Sequence, residues 1–374
     1  MTPCRVLTTD DAEAWRTALP TDTSIMGSLD FLRIQERQMG LSARLFVSEW
    51  EGFRAAYPFF LRPVPGPGAA PEWDISTPEY TGPFLTLSPS GATGLPPRER
   101  LLGEFGAYCQ SQGIIAEFAH LHPWNEGVGL LDPSLVEVNR EIVYVDLSMK
   151  EGDLWWSASP NCRRQVRQAA RAGVTIRRAG TREDVLTFHR LHHRTMERRS
   201  AQDHYFLPPE YLLEVFETLP RNAFSLLAEY RGRVVAGGLY FQDATDVYWY
   251  LSAMDMDYSN VRPVNAYHYE SIRQTALAGK KRMILGGFHR EGDGIFRFKA
   301  GFSPLRIPFR TYKRIHDPDR YASLTADWSR RNGGLIPVSG FFPAYRAVLS
   351  PEPPLDGMDS AQEEPQEALS LRPR

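Results

Sequence analysis

The order of strand-like and helix-like segments in the second half most constrains the fold of this 374-residue chain. Two strand runs joined by a turn at Arg231-Gly232 lie within 225–242, and a third strand run follows at 246–254. A helical pattern at 265–279 and a short apolar strand at 282–287 come next. Because a hairpin and a third strand precede the helix, strands and helices do not alternate strictly. The pattern therefore predicts an α+β fold rather than a doubly wound parallel sheet.

Strand-like runs and turns predominate earlier in the chain, and a domain boundary is predicted near residue 150. The features predicted before it are a hairpin at 43–64 that turns at Glu51-Gly52, a Pro/Gly loop at 63–71, a helix at 97–113, and strands at 114–122 and 140–148. Helices are predicted after it at 160–172, 189–199 and 208–219. The tail from Pro351 lacks aromatic residues and is rich in proline and glutamate, so we expect it to be disordered.

Composition excludes several classes of protein. Hydrophobic residues make up 42% of the chain, which is enough for a sizeable core. The net charge of −2 gives no general attraction to nucleic acid or to an anionic membrane, so such a partner needs a local patch. The cysteines, Cys4, Cys109 and Cys162, are too scattered for a disulfide framework or a zinc site. With no secretion signal and no apolar run of ~18 residues, the sequence predicts a soluble cytoplasmic protein.

One basic segment stands out against this balanced composition. From Leu154 to Arg182 there are seven arginines and no acidic residue. Ser159 and Pro160 form a good N-cap and first-turn pair, and Gly173 a good C-terminal stop. A helix is therefore predicted between them, and its charge is not balanced within its own segment.

Three of these arginines, Arg163, Arg167 and Arg171, are spaced four residues apart and share one face of the predicted helix. Another face carries small apolar residues that are expected to pack on the body of the protein: Val166, Ala169 and Ala170. Like charges at this spacing repel each other by roughly a few tenths of a kcal/mol per pair. The arginine face, with Arg164 beside it, is therefore either a solvated surface or a site for a phosphate-rich partner, such as a nucleic-acid backbone or a nucleotide diphosphate.

The stretch DGIFRFKAGF at 293–302 sets a single lysine, Lys299, among phenylalanines, with Phe298 next to it and Arg297 nearby. On local pattern alone this is typical of an ordinary strand whose lysine and arginine point to water. The alternative interpretation is that Lys299 has a functional role. An ammonium held between aromatic rings is less solvated than a surface lysine, so it interacts strongly with a phosphate or a developing oxyanion.

Several segments, taken in order, resemble the FemABX-like peptidyltransferases of the GNAT (Gcn5-related N-acyltransferase) superfamily. In the second part of the chain they are WWSASPNCRRQVRQAARAGVTIRRA, FHRLHHRTMERR (188–199), EYRGRVVAGGLYF (229–241), YWYLSAM (248–254) and GDGIFRFKAGF (292–302). In the first part they are DISTPEYTGPF (74–84) and HLHPWNEG (120–127). Together they cover roughly residues 70–305.

The resemblance implies two tandem GNAT-like domains with mixed central sheets that face a shared cleft. The first domain would span 1–147 and be completed by 316–349, and the second would span 148–315 and hold the arginine-rich helix. Residues 350–374 would form the disordered tail. Two departures are visible. No coiled-coil insertion interrupts the second part, and the family's N-terminal W-x-x-V-K segment appears as FLRIQ (31–35), without the lysine. The second departure disfavours a UDP-sugar peptide as acceptor.

The activity implied by the resemblance is transfer of an aminoacyl group from aminoacyl-tRNA to an amine, on a peptidoglycan precursor or a secondary-metabolite peptide. Lys299 would then assist at the tetrahedral intermediate, Arg198 would lie near the acceptor's phosphates, and Tyr250 would be the cleft tyrosine of the central strand. The remaining substrate-binding residues would be Ser252, Arg297 and Phe298. Phosphates of the tRNA would be bound by Arg163, Arg164, Arg167 and Arg171.

Such a reaction needs neither a metal nor a resident cofactor, because the ester of aminoacyl-tRNA is already activated. Four carboxylates are candidates to take the amine proton: Asp74, Glu79, Glu117 and Asp293. The aromatic residues of YWYLSAM either stack on the terminal adenine or belong to the core. His189 and His193 lack the glutamate of a zinc-binding H-E-x-x-H motif, so no metal site is expected there.

Two alternatives to tRNA-dependent transfer stay open. One is an N-acyltransferase that uses acyl-CoA or another donor on the same fold. Ordinary GNAT enzymes bind the CoA pyrophosphate in a glycine-rich loop at a helix N-terminus, whereas the segment here, 258–267, has no glycine and contains a proline. This disfavours CoA. The other alternative is a non-catalytic protein that binds RNA or a nucleotide sugar.

Overall fold

The computed structural model describes residues 4–50, 52–64, 71–87, 98–287, 294–337 and 340–348. The helices in these ranges are α1 (Ala12–Ala18), α2 (Leu29–Met39), α3 (Arg98–Ser111), α4 (Glu151–Ser157), α5 (Pro160–Ala172), α6 (Arg182–Arg198), α7 (Pro209–Thr218), α8 (Pro263–Leu277), α9 (Gly294–Ala300) and α10 (Pro318–Arg331). The strands are β1 (Arg5–Leu7), β2 (Ser42–Trp50), β3 (Phe53–Pro63), β4 (Trp73–Ser76), β5 (Phe84–Leu87), β6 (Ile114–Leu121), β7 (Val136–Asp146), β8 (Thr175–Arg178), β9 (Ala223–Tyr230), β10 (Arg233–Gln242), β11 (Asp246–Met254), β12 (Arg282–Gly286) and β13 (Arg306–Ile315).

These strands form one continuous mixed sheet in the order β1-β2-β3-β4-β6-β13-β7-β12-β11-β10-β9-β8, with β5 paired to β3 at the side. The predicted α+β class with a mixed sheet is therefore confirmed. None of the helices in the described part of the chain has the length and apolar composition that a membrane span requires.

The two halves of the sheet repeat one pattern. In each half an antiparallel series ends in a parallel pair, β4 with β6 and β11 with β12. In each pair a helix comes directly before the second strand: α3 precedes β6, and α8 precedes β12. The halves also exchange strands, because β7 pairs with β12 whereas β13 pairs with β6. A β7–β13 ladder then joins the halves. The predicted domain limits stay a prediction.

Local sequence signals located most of the elements. The predicted hairpin at 43–64 is formed by β2 and β3, whose last facing residues are Trp50 and Phe53. The turn between β9 and β10 places Arg231 and Gly232 at φ of 52° and 74°. Two consecutive positive φ values are what a tight two-residue hairpin needs, and glycine adopts them without strain.

The ends of the arginine-rich helix also match the prediction. Ser159 Oγ accepts the N–H of Cys162, and Gly173 adopts a left-handed conformation. One expected feature of that helix is wrong, since Ala169 is buried but Ala170 is exposed. The ordinary strand that local pattern favours at 293–302 is also wrong, because 294–300 is helix α9. Residues 65–70 of the predicted Pro/Gly loop, Glu51 and the tail from Pro351 lie outside the described residues.

Helices cover both faces of the sheet. One core cluster includes α2, α6 and α7 and extends across both halves, with Phe31, Phe188 and Tyr211 among its members. On the second half's other face, a separate cluster packs α5 and α8 on the sheet, with Cys162 and Tyr267 among its members. The arginine-rich helix is therefore anchored on the face that also carries α8.

A buried ion-pair network ties the C-terminal segment to the first half. Asp74 on β4 is fully buried, and its Oδ1 accepts a hydrogen bond from Arg62 Nε at 2.7 Å. Its Oδ2 accepts from Arg346 Nε and from the Tyr345 hydroxyl, the latter at 3.1 Å. Trp328 of α10 donates to the Ala347 carbonyl at 2.7 Å in the same region. Asp74 therefore balances two arginines that come from distant parts of the chain.

We expect Asp74→Asn to lower the free energy of unfolding by about 3–5 kcal/mol, because Arg62 would stay buried without a countercharge. The matched control is Asp327→Asn, which breaks the exposed pair with Arg330 and should cost at most about 1 kcal/mol. Urea denaturation of both variants measures the difference. Equal losses in the two variants would contradict the structural role of Asp74.

Candidate functional site

The parallel strands β11 and β12 part halfway along β11. Their pairing begins at Asp246↔Arg282 and ends at Tyr248↔Ile284, although both strands continue. Just beyond that point the β10–β11 register shifts and leaves Tyr250 unpaired, as a bulge. A bulge inserts one residue and so reverses the facing of the side chains that follow. The strands therefore separate where side-chain direction changes.

Helix α9 presents Lys299 at this separation. The side chain of Lys299 is completely buried, and its Nζ donates to the carbonyl of Gly287, directly after β12, at 2.7 Å. Phe298 and Phe302 meet edge to face beside it, with ring centroids 5.2 Å apart. Arg297 is exposed on the same helix. Lys299 is therefore a fully desolvated side chain at the carboxyl end of β12.

A histidine lies next to Lys299. The His268 ring is fully buried and in contact with Trp249, the centroids being 3.5 Å apart, and lies nearly parallel to Phe298. Its Nδ1 shares a hydrogen bond of 2.7 Å with the Tyr240 hydroxyl. Among the described residues, no hydrogen-bond partner is found for its Nε2 or for the Trp249 indole N–H. Burial, and then the nearby Lys299 ammonium, lower the pKa of His268 well below its ordinary value, so the imidazole is neutral at pH 7.

The bulge turns Ser252 towards α8. Its hydroxyl is buried and hydrogen-bonded to the hydroxyl of Tyr267. Gly238 of β10 makes room for that tyrosine, because a Cβ there would lie 2.6 Å from a ring carbon of Tyr267. Ser252 and Tyr267 therefore belong to the face of the sheet that carries Lys299.

Tyr250 packs elsewhere. Its hydroxyl shares a hydrogen bond of 2.8 Å with that of Tyr211, which accepts a bond of 2.9 Å from Gln35 Nε2. Burial, followed by the influence of Tyr211 and of Glu79, raises the pKa of Tyr250 well above its ordinary value. Tyr250 belongs to the cluster of α2, α6 and α7, whereas Phe302 beside Lys299 belongs to the other cluster. The structure does not bring Tyr250 and Lys299 together.

The two segments singled out in the sequence, 293–302 and the arginine-rich helix, do meet. The backbone N–H of Ser159, at the start of α5, donates to the carbonyl of Gly301 at 2.8 Å. Further along α5, Gln168 donates to the carbonyl of Asn260, in the turn before α8, at 2.8 Å. Helix α5 therefore runs from the Lys299 helix to the N-terminus of α8.

No carboxylate of the described residues lies within 4 Å of the four arginines of α5. Arg163 and Arg167 lie over tryptophan rings instead, and Arg164 donates to Asn161. Arg171 is exposed. Arg198 is also exposed, in the last turn of α6 on the other face.

The carboxylates suggested as proton acceptors differ in their availability. Asp74 belongs to the ion-pair network described above, and Glu117 is buried between the Tyr57 hydroxyl and His316. Both are therefore structural. Glu79 is only partly buried, and its charge influences Tyr250. Asp293 lies outside the described residues.

The aromatic residues of β11 are core residues. Tyr248 and Trp249 are 2% and 6% exposed and belong to clusters on opposite faces. Within the described residues, no group of three or more His, Cys, Asp or Glu side chains is arranged to hold a metal ion. His189 bonds to the Leu207 carbonyl, and His193 faces Glu197.

Sequence reasoning missed His268, Tyr240 and Tyr267. His268 and Tyr267 are adjacent in the helix predicted at 265–279, and a buried polar pair inside a helical pattern was the available signal. The bulge in β11 decides which strand residues face this pair, and no sequence pattern indicates that bulge. The described residues around Lys299 are therefore assembled by tertiary packing.

Comparison with known families places this site in a recognised domain. Residues 157–300 match the family model described as an acetyltransferase (GNAT) domain. A comparison of the sequence with curated proteins finds no match. The matched range includes α5, β11, α8 and Lys299. It supports an N-acyltransferase.

Three solved structures are similar over most of the chain. FemX aligns with a TM-score of 0.65 at 12% identity, over 86% of this chain and 99% of that one. A conserved protein of unknown function from Bacteroides thetaiotaomicron aligns with a TM-score of 0.54 at 11% identity, over 84% and 100%. The C-terminal domain of a putative lysylphosphatidylglycerol synthetase from Agrobacterium fabrum gives 0.50 at 13%, over 91% and 99%. The resemblance to FemABX-like proteins is thus confirmed for the fold.

We expect acid to destabilise the protein through His268. Its pKa is depressed in the folded state, so below about pH 6.5 the unfolded chain binds a proton that the folded chain does not. The stability present above that pH is lost as the pH falls from 7 to 5. In His268→Asn the difference in unfolding free energy between these two pH values should therefore be smaller than in the unsubstituted protein.

The control is His193→Asn, which removes a half-exposed ring facing Glu197. It should leave the pH difference nearly unchanged, because exposed ion pairs contribute little. Urea denaturation of each variant at both pH values gives the numbers. A pH difference that is the same in His268→Asn and in the unsubstituted protein would refute a neutral, buried His268.

Proposed function

We propose that the protein forms an amide bond by transferring an aminoacyl group from aminoacyl-tRNA to an amine. The observation that carries this proposal is the completely buried Lys299 side chain within the range that matches a GNAT domain, next to an arginine-rich helix whose arginines have no carboxylate of the described residues within 4 Å. The resemblance of the sequence motifs to FemABX-like peptidyltransferases supports the same donor. Because charged tRNA is the donor, the reaction takes place in the cytoplasm.

The chemistry requires little beyond alignment and charge. The amine nitrogen attacks the ester carbonyl, a C–N bond forms, and the carbonyl oxygen becomes an oxyanion. The C–O bond to the tRNA ribose then breaks, the ribose oxygen gains a proton, and the amine loses one. Lys299 supplies the positive charge for the oxyanion. A positioned donor in a site that excludes water lowers such a barrier by about 3 kcal/mol.

His268 adds no positive charge next to Lys299. A protonated imidazole next to the ammonium would be repelled, and burial keeps His268 neutral. The rings of Trp249 and Phe298 enclose the same imidazole. The Lys299 side chain is completely buried, and in surroundings of low polarity an interaction between a cation and an oxyanion is strong.

The arginines of α5 are proposed to bind the donor's phosphates. Their charge is not neutralised by carboxylates of the described residues, and Arg164, Arg167 and Arg171 are exposed. Each phosphate that they neutralise releases counterions, which favours binding at low salt. The bond between Ser159 and Gly301 brings this surface next to the Lys299 helix.

The acceptor is proposed to be an amine on a peptide or a peptidoglycan precursor. Gln35 occupies the place where the resembling family has a lysine, and it donates to the Tyr211–Tyr250 pair. An uncharged amide there favours an acceptor without a pyrophosphate. Glu79, a partly buried carboxylate whose charge influences Tyr250, lies on this proposed acceptor side.

A second candidate is transfer from acyl-CoA, which the GNAT domain match favours. The start of α8 disfavours it. Arg262 precedes the helix with a φ of 56°, and Pro263 occupies the first turn, where it removes an N–H. The described turn at 256–261 has no glycine to let a pyrophosphate approach the backbone. No resident cofactor is therefore proposed.

We expect Lys299→Met to lower kcat by roughly 100- to 1000-fold, because the oxyanion loses its countercharge. Lys281→Met, which removes an exposed lysine, is the matched control. Turnover is measured with a pool of charged tRNAs and candidate amines, and the melting temperatures verify folding. If Lys299→Met does not fold, Lys299→Arg tests the same charge. Full turnover in a folded Lys299→Met protein would end the assignment of Lys299.

Ribonuclease separates the two donors in the same assay. If aminoacyl-tRNA is the donor, treatment with ribonuclease before the reaction abolishes the product. Product that persists after ribonuclease and requires acyl-CoA would replace the proposed function with the second candidate.

We also expect Arg171→Ala to weaken tRNA binding at low salt and to reduce the slope of log K against log salt by about 1, as loss of one phosphate contact does. Arg330→Ala, which removes an exposed arginine of α10, should leave the slope unchanged. Fluorescence anisotropy with labelled tRNA at several salt concentrations gives both slopes. An unchanged slope for Arg171→Ala would make it a solvated surface residue.

A further inference from the structure

An exposed tryptophan adjoins the arginine-rich helix. The aromatic residues of β11 are buried, so they cannot offer a face to a nucleobase. Trp156 of α4, by contrast, is 66% exposed. It is only three residues before Ser159, whose N–H is bonded to the Lys299 helix. A single exposed apolar side chain is ordinary on a protein surface, so the feature that distinguishes Trp156 is the cluster of cations beside it.

Trp156 is held in place by an arginine. The Arg163 guanidinium lies over the indole, 4.6 Å from the ring centroid. The same guanidinium donates to the carbonyls of Trp156, at 3.1 Å, and of Ala158. A cation over a tryptophan face is favourable by about 0.5–1 kcal/mol at exposed sites. These contacts fix the ring relative to α5.

One turn further along α5 the arrangement is repeated. The Arg167 guanidinium lies 5.0 Å from the Trp155 centroid, and Trp155 packs edge to face on Tyr269 of α8. Trp155 is partly buried, so this second pair anchors α4 and leaves Trp156 as the accessible ring. The surface thus combines one accessible aromatic plane with a row of cations one helical turn apart.

This combination fits an unpaired RNA strand. Proteins that bind single strands use aromatic side chains on which bases stack and cationic grooves that follow the phosphates. An anionic membrane fits less well, because Glu151 and Asp153 are exposed on the same short helix as Trp156. Their charges would be repelled by a broad anionic surface, whereas a single strand can pass along α5 alone.

We propose that Trp156, held by Arg163, is the stacking platform for an unpaired base at the 3′ end of the RNA donor. This inference rests on the proposed function, since it places the donor's single-stranded end on the path from α5 to Lys299. The platform binds any base by its ring face and so contributes affinity without reading sequence. The phosphates that follow lie along Arg164, Arg167 and Arg171.

The test uses a labelled RNA hairpin with an unpaired CCA 3′ end and measures anisotropy over a range of salt concentrations. Trp156→Ala is expected to weaken binding by roughly 10-fold, the loss of one stacked base. The slope of log K against log salt should stay the same, because no phosphate contact is lost. Trp156→Phe should recover most of the affinity. Arg171→Ala should show the opposite behaviour, a reduced slope.

A hairpin whose 3′ nucleotides are abasic isolates the stacking. It keeps the phosphates but has no base to stack, so Trp156→Ala should bind it as well as the unsubstituted protein does. Trp156 is largely exposed, so its replacement should leave the melting temperature unchanged, and this is checked for each variant.

The results that would overturn the inference are distinct from those that would overturn the proposed function. If the CCA hairpin binds with a clear salt slope but Trp156→Ala binds it equally well, the platform is refuted and the RNA donor stands. If the unsubstituted protein binds neither the hairpin nor charged tRNA, the proposed function fails as well. Binding to vesicles of anionic lipid that depends on Trp156, without RNA binding, would identify the surface as a membrane contact.

Discussion

The arrangement of side chains around Lys299 depends on the separation of β11 from β12. While the strands stay paired, their side chains pack into continuous clusters on the two faces of the sheet. Beyond Tyr248 the pairing ends, and Tyr250 forms a bulge. With this inserted residue, the Tyr250 side chain points towards α7 and the Ser252 side chain points towards α8. Helix α9 closes the carboxyl end of β12 through the bond from Lys299 to Gly287.

Charge is used in two ways in the molecule, and burial separates them. Lys299 and Asp74 are both fully buried, where a charge is strongly felt and costly to leave without a partner. Asp74 is matched by two arginines and stabilises the C-terminal segment, and the imidazole next to Lys299 is neutral. The arginines of α5 are mostly exposed, so the phosphate binding proposed for them is a screened, salt-dependent attraction. The proposed reaction uses both kinds of charge. Lys299 is the fixed charge at the reacting bond, and the arginines of α5 form the broad surface for a polyanion.

Local signals predicted the parts of the fold that local physics decides. The cap at Ser159, the stop at Gly173 and the turn at Arg231-Gly232 follow from backbone preferences, and the structure confirms each. The segment 293–302 was harder, because its alternating phenylalanines fit a strand whereas residues 294–300 form a helix. Whether the aromatic residues of 248–254 are core or surface depends on which helices cover them. Only the tertiary structure could therefore identify His268 as the neighbour of Lys299 and Trp156 as the accessible ring.

The separation of Tyr250 from Lys299 limits how the proposed reaction can be divided between them. Two side chains in clusters on opposite faces of a sheet cannot both contact one reacting carbonyl. Lys299 lies on the face of α5 and α8, next to the arginines that are proposed to bind the donor. Tyr250 is joined through Tyr211 to Gln35, a residue of the first half. The proposed reaction is therefore divided between the faces: residues on the Tyr250 side are proposed to select the acceptor, and Lys299 is proposed to act on the donor ester.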